Sequence, residues 1–127
     1  MMRLPQEPRV RAWLETQDEG TLYTCTPGLF EIYFGTLLLP AGRRRQDLEA
    51  VLATVIGTVF ANRILDFDTA AAKAAAAIRV SQTKRGLNPD ITDSQIAGIA
   101  EHHNIPIATR NTRDFKGLGI PLINPWE

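Results

Sequence analysis

Segments with helical periodicity alternate with short apolar runs along the chain, and this alternation limits the fold more than any other feature of the sequence. Val10, Trp13 and Leu14 fall at helical spacing within residues 8–17, and Asp18-Glu19-Gly20 breaks the pattern ahead of a Leu22-Tyr23-Thr24-Cys25 strand. Thr26-Pro27 reads as an N-cap with proline in the first turn, opening a helix that carries Phe30, Phe34, Leu37 and Leu38 on one apolar face and ends near Pro40. Residues 43–60 form a second amphipathic helix, basic at its start and then apolar at Leu48, Val51, Leu52, Val55 and Ile56. Ile64-Leu65-Asp66-Phe67 is a short strand. Asp68 caps an alanine-rich helix reaching about Arg85, in which Ala70, Ala74, Ala77 and Ile78 make a smooth face for close packing.

After a loop over residues 86–90, Thr92 with Gln95 three positions on has the pattern of a capping box, leading a helix through Ile96, Ala97, Ile99 and Ala100 with Asp93 in its first turn. Residues 105–109 read as a buried strand, 111–119 as a loop and Leu122-Ile123 as a last strand, with prolines confined to strand ends. Helices alternating with short apolar strands predict an α/β fold, a short parallel sheet with helices on both faces. Ligands of such a sheet bind beyond the carboxyl ends of its strands.

A chain of 127 residues, 44% hydrophobic, fits one domain over 1–127 that buries about two-thirds of its unfolded surface. Its 14 basic and 14 acidic side chains balance, so any nucleic-acid or membrane contact must be local. Cys25 is the only cysteine, which excludes an internal disulfide and a cysteine-rich zinc site, fits a reducing cytosol, and reads as a small buried apolar residue. No stretch approaches the roughly 18 apolar residues of a membrane span, and the start has no apolar core of signal-peptide length. The expectation is a soluble, cytoplasmic protein.

Three acids stand where this architecture converges: Glu31 one turn into the helix after the first strand, Asp93 opening a helix, and Asp114 beyond the strand that ends at Thr109. Magnesium takes hard oxygen ligands, keeps several waters, and is commonly held by one or two carboxylates plus substrate phosphate, which suits such a cluster. Each acid also has a plainer reading. Asp93 complements the helix dipole for about 0.3–1 kcal/mol, Glu31 is an exposed helix glutamate, and Asp114 is a turn acid. Gly35, one turn beyond Glu31 on the same face, leaves room either for a ligand or for close helix packing. Thr109-Arg110-Asn111-Thr112-Arg113-Asp114-Phe115 concentrates hydroxyl, amide, carboxylate and guanidinium groups in one strand-end loop, a density unusual for a plain turn.

Arg43-Arg44-Arg45 opens a helix, where the dipole disfavours positive charge; a phosphate-contacting patch is one reading and a solvated basic face the other. Lys84-Arg85, Arg110 and Arg113 could extend such a patch into a positive rim. His102-His103 near a helix end reads as a favourable dipole partner and makes a poor zinc site. An apolar set of Trp13, Phe60 and Trp126 is compatible with a dimer.

The segments Phe30-Glu31-Ile32 through Gly35, Ile91-Thr92-Asp93-Ser94-Gln95-Ile96-Ala97 and the strand-end loop from Thr109 to Phe115 resemble PIN-domain nucleases, and most nearly the VapC and FitB-like toxin group. The Leu39-Pro40-Ala41-Gly42 stretch with its three arginines, and Ile120-Pro121-Leu122-Ile123-Asn124-Pro125-Trp126, are similar to that group too, so the resemblance spans essentially the whole chain. It implies a PIN-like three-layer sandwich and a magnesium- or manganese-dependent ribonuclease, the toxin of a toxin-antitoxin pair. By the same resemblance Glu31, Asp93 and Asp114 are the catalytic and metal-holding acids, Thr109 and Asn111 supporting polar groups, and Arg43, Arg44, Arg45, Arg110 and Arg113 RNA contacts. Implied partners are RNA, a cognate antitoxin, and a second copy in a homodimer or higher assembly.

One departure stands at the front. The family opens on a short hydrophobic strand ending in aspartate, placed in the middle of the sheet, and this chain starts at the helix that follows. The expectation is a domain missing its central strand, with two inner strand edges left without hydrogen-bond partners, and a complete product longer by about ten residues, a strand and its turn. That leaves a second reading open, a non-catalytic PIN-like module that binds an antitoxin or itself. A receiver-like or nucleotide-binding α/β domain lacks the phosphate-cradling glycine loop it would need.

Overall fold

The computed structural model describes residue 12, residues 22–109 and residues 112–125. Of the expected helix over 8–17 only residue 12 is described, and it is helical; Trp13, Arg110, Asn111 and Trp126 lie outside the described residues. The described elements run β1 (Thr24–Cys25), α1 (Thr26–Leu37), α2 (Arg43–Thr58), β2 (Ile64–Leu65), α3 (Thr69–Lys84), α4 (Ile91–His103), β3 (Ile107–Ala108), a 3-10 turn (Thr112–Phe115) and β4 (Leu122–Ile123). The alternation of helices and short parallel strands is the expected α/β, PIN-like arrangement.

The strands form two parallel pairs. Thr24 and Cys25 of β1 stand opposite Ile64 and Leu65 of β2, and Ile107 and Ala108 of β3 opposite Leu122 and Ile123 of β4. Among the described residues β1 and β3 do not pair with each other, so the sheet is split into halves with two inner edges. Thr24 donates its N–H to the Arg63 carbonyl at 3.0 Å, and Ile107 and Thr109 donate theirs to Pro121 and Ile123 at 3.0 and 2.9 Å.

Local chemistry explains most element ends. Asp68 caps α3 as expected, its Oδ1 accepting the Ala71 N–H at 2.9 Å. At α4 the cap is Asp90 rather than Thr92: its Oδ1 accepts the Thr92 N–H at 2.8 Å, and the helix begins two residues earlier than expected, at Ile91. With Asp90 already accepting a first-turn N–H, Thr92 lies inside the helix and has no capping role. Asn104 closes α4 in the left-handed region at φ 54°, a conformation asparagine tolerates well. Thr26 is likewise not an N-cap. Helix α1 starts at Thr26 itself with Cys25 preceding it in an extended conformation, and the Thr26 hydroxyl accepts the Phe67 N–H at 3.2 Å, tying the segment after β2 to the start of α1.

Two faces differ from expectation. Helix α3 buries Ala71, Ala75, Ile78 and Gln82, whereas Ala70 and Ala77 are exposed. A run of alanines offers no contrast between faces, so its periodicity fixes a helix without fixing its rotation. Helix α1 turns its apolar stripe outward: Phe30 is 70% and Leu38 69% exposed, with Phe34 and Leu37 also exposed, while Pro27 and Thr36 are buried. Thr36 satisfies its hydroxyl within the helix by donating to the Ile32 carbonyl at 2.8 Å, which lets that small side face inward without an orphaned polar group.

The core gathers around α4. Ile78, Ala97, Ala100, Ile107 and Phe115 pack together, with Ile105, Leu118, Ile120 and Leu122 against them. Helices α3 and α4 cross closely at Gly98: a Cβ there would lie 2.6 Å from the Ala71 carbonyl oxygen and 2.7 Å from the Ala75 Cβ.

Candidate functional site

Asp93 is the centre of the site. The Asp90 cap starts α4 two residues before it, which puts Asp93 in the first turn at the helix N-terminus, half-buried. Ser94 beside it is buried and bonds back to Asp90, donating both its N–H at 3.1 Å and its hydroxyl at 3.2 Å to the Asp90 carbonyl. The turn bearing Asp93 is thereby fixed by two independent bonds.

Burial pushes the Asp93 carboxyl up to about 6, and the negative charges of Asp90, Asp114 and Glu31 add to the rise in that order. These residues come from three elements: Glu31 from α1, Asp90 and Asp93 from the start of α4, Asp114 from the 3-10 turn after β3. The fold therefore brings Glu31 and Asp114 each within electrostatic reach of Asp93. Glu31 and Asp114 are exposed. Among the described residues no three His, Cys, Asp or Glu side chains stand close enough together to hold one ion between them.

The remaining expected groups fall at varying distances from this centre. Thr109 follows β3, half-buried, with its N–H in the β3–β4 ladder. Arg113 is exposed on the 3-10 turn next to Asp114. Arg43 and Arg45 pair within their own helix, with Asp47 at 4.0 Å and Glu49 at 3.0 Å, as a solvated helical face does, and Arg44 is exposed. His102 and His103 lie in the last turn of α4 with their rings edge to face at 4.8 Å, in the dipole position expected of them. Phe60 is half-buried, which leaves it less available to a partner than an exposed aromatic.

Two participants were missed in the sequence. Asp90 is the strongest charged neighbour of Asp93, and its signal was available, an acid following Asn88-Pro89 and immediately preceding the apolar helix. Cys25 is only half-buried and lies at the β1–α1 junction, where burial raises its thiol, a Gly28 backbone bond opposes that, and the Glu31 charge adds to it. The first strand thus ends beside the acids. A buried, acid-crowded aspartate at a helix N-terminus, next to further carboxylates at strand ends, is an arrangement that a hard divalent cation or a proton relieves.

The model of the PIN domain family matches residues 4–120, and the chain belongs to that family. It is 36% identical over 115 residues to the plasmid stability protein StbB of Pseudomonas syringae pv. tomato, a match covering 91% of this chain and 83% of that one. Against the VapC ribonuclease Y4jK of Sinorhizobium fredii it is 34% identical over 118 residues, 93% of this chain and 84% of the other. Toxin FitB of Neisseria gonorrhoeae is 32% identical over 126 residues, 99% and 91% of the two chains. The solved structure of FitAB bound to an IR36 DNA fragment superposes with a TM-score of 0.89 at 31% identity, over 98% of this chain and 87% of that one. The fold is that of the VapC and FitB group.

Proposed function

We propose that this protein is the ribonuclease toxin of a toxin-antitoxin pair, hydrolysing RNA phosphodiester bonds in the presence of magnesium or manganese. The observation that carries the reading is the raised Asp93 carboxyl, crowded by the charges of Asp90, Asp114 and Glu31. Membership of the PIN family and the likeness to a VapC ribonuclease and to toxin FitB support it.

The donor set suits such an ion: all its members are hard carboxylates, and magnesium is ordinarily held by only one or two of them together with waters and substrate phosphate, so a single ring of three ligands is not required. Asp93 would hold the ion, joined by Glu31 and Asp114 as the ion draws them in from their present spacing. A bound divalent ion supplies a nucleophile from water and offsets the charge developing on the phosphate. The chain's own residues do the positioning. The Asp90 cap and the Ser94 bonds fix the turn on which Asp93 stands, and Thr109 and Asn111 would supply supporting polar groups. Arg113, with Arg110 and residues Arg43, Arg44 and Arg45, offers positive charge to the RNA backbone. The antitoxin is the partner that would restrain the activity, as the FitAB complex and the toxin name of FitB support.

The test is cleavage of RNA by the purified chain. Scission is expected with magnesium or manganese, to be lost with a chelator, and to fall about a hundredfold or more in Asp93→Asn, on the scale of about 10²–10³ in rate that the loss of one preorganised electrostatic group costs at an oxyanion hole. Cleavage indifferent to both metal and Asp93→Asn defeats the proposal. The spread of the acids beyond single-ion range among the described residues favours one alternative, a non-catalytic module that binds an antitoxin or itself. Calorimetry distinguishes the two, because intact RNA together with no magnesium uptake fits only the module.

A further inference from the structure

Helix α3 ends in two exposed cations, Lys84 in its last turn and Arg85 as its C-cap. The helix dipole accounts for positive charge at that end. It does not account for where the Arg85 guanidinium lies. That group reaches across to the segment after the 3-10 turn and rests against Gly117, where a Cβ would stand 2.9 Å from Nη2 and 3.2 Å from Nη1. Gly117 has φ +82° and no side chain, so the loop admits the guanidinium where any other residue would push it away.

The contact joins charges from two elements. Lys116 immediately precedes Gly117, and its N–H bonds back to the Arg113 carbonyl at 3.4 Å, so Arg113 and Lys116 close one turn of chain. Arg85, Arg113 and Lys116 are all exposed. Among the described residues the side-chain ion pairs are those of Arg43 with Asp47 and Arg45 with Glu49, both within α2, and none involves these three cations. Like charges held together without a counter-charge gain from an anion. The acid cluster is near: Asp114 stands in the same turn, within charge reach of Asp93. Gly117 follows Asp114 by three residues, a chain length of at most about 11 Å.

From this placement we infer that Arg85 and Lys116, brought together at Gly117, bind a phosphate of the RNA backbone about three nucleotides along the strand from the acid cluster, at about 3.4 Å of rise per nucleotide. The inference rests on the proposed reading of the chain as a ribonuclease and adds the residues that hold the strand away from the cleaved bond. A guanidinium offers phosphate oxygens parallel N–H donors, and the ammonium beside it adds a point charge. Such a contact carries no base information, so it fixes where the strand lies and leaves the choice of sequence to other groups. Arg43 and Arg45 are poorer holders of phosphate, because each has a carboxylate partner on its own helix.

The experiment is fluorescence anisotropy of the whole chain with labelled oligouridine and oligoadenosine, in chelator so that no strand is cut, over a range of salt. Each phosphate contact adds about 0.7 to the slope of log affinity against log salt for a single strand. Arg85→Ala and Lys116→Ala should each lower the slope by about 0.7 and weaken binding about fivefold at 0.1 M salt, by the same factor for both oligonucleotides. Arg85→Lys keeps the charge and should recover most of the slope. Gly117→Ala keeps every charge but displaces the guanidinium, and should weaken binding by about threefold. Lys73→Ala removes an exposed charge from the same helix about 18 Å away and should change affinity less than about twofold. Unchanged slopes in both Arg85→Ala and Lys116→Ala, an equal loss in Lys73→Ala, or a loss with one oligonucleotide only overturns the inference and leaves the ribonuclease reading standing, since cleavage is read separately with magnesium. A chain that binds neither oligonucleotide overturns the inference together with that reading.

Discussion

Asp93 holds a proton more readily than an ordinary aspartate because folding takes it partly out of water and sets Asp90, Asp114 and Glu31 around it. The consequence for stability has a definite sign. The ordinary value is 3.8 and the folded value about 6, so between them the folded chain binds more protons than the unfolded one and stability falls as pH rises through that window. Above about pH 6 the full penalty persists, about 1 kcal/mol once solvent screening of a half-exposed group is allowed for. Asp93→Asn keeps the shape and removes the charge. In metal-free buffer at pH 7.5 its melting temperature should exceed the parent's by about 3–5 °C, and the gap should narrow toward pH 4.5, where the parent aspartate is protonated. Magnesium added to the parent should also narrow it. Equal melting temperatures at pH 7.5 would show that the acids do not burden the folded state. Asp93 is thus a residue whose placement costs stability, as groups kept for chemistry commonly do.

Among the elements, α3 and α4 meet through a contact that only glycine permits. The methyl added in Gly98→Ala would press into the Ala71 carbonyl oxygen and the Ala75 methyl, both too close for any real Cβ. The substitution should therefore destabilise by about 1–3 kcal/mol despite the better helix propensity of alanine. Gly57, near the end of α2, has open space around it, and Gly57→Ala should stabilise by about 0.5–1 kcal/mol. Urea denaturation of the two variants reads both shifts, and a common sign would show that the close crossing is not what sets the cost at Gly98. The sequence made some elements legible to the residue: the start of α2 at Arg43, the Asp68 cap and β4 at Leu122–Ile123. Here one local interaction or a sharp change of pattern decides the boundary. Helix rotation was not legible in α1 and α3. A stripe of Phe30, Phe34, Leu37 and Leu38 states that one face is apolar and is silent on whether a core or solvent lies beyond it. Around Asp93, the placement of Asp93 in a first turn, of Glu31 in the helix after β1 and of Asp114 beyond β3 was legible, whereas Asp90 was hidden behind an expected cap at Thr92.

At the scale of the whole molecule, burial is distributed unevenly between two parts. Helices α3 and α4, with β3, β4 and the 3-10 turn, contain Ala71, Ala75, Ile78, Ala97, Ile99, Ala100, Ile107 and Phe115, nearly the entire buried apolar set. The part made of β1, β2, α1 and α2 buries Leu52 as its one large core side chain among the described residues and leaves its aromatic and leucine side chains on α1 in water. The two parts touch chiefly where α1 meets α4, and no strand pairing crosses between them among the described residues. Opening free energies follow buried apolar contacts, so the parts should open separately. Native-state hydrogen exchange should find amides around Ala75 and Ala97 slower than those around Leu52 and Val55 by at least about tenfold, or about 1.4 kcal/mol of opening free energy. Uniform protection across both parts would mean that the split sheet is bridged strongly enough to unfold as one unit. The acid cluster sits on this seam, with Glu31 from the loosely held part and Asp93 and Asp114 from the firmly held one, so motion between the parts changes the spacing of these carboxylates and with it the charge that raises Asp93.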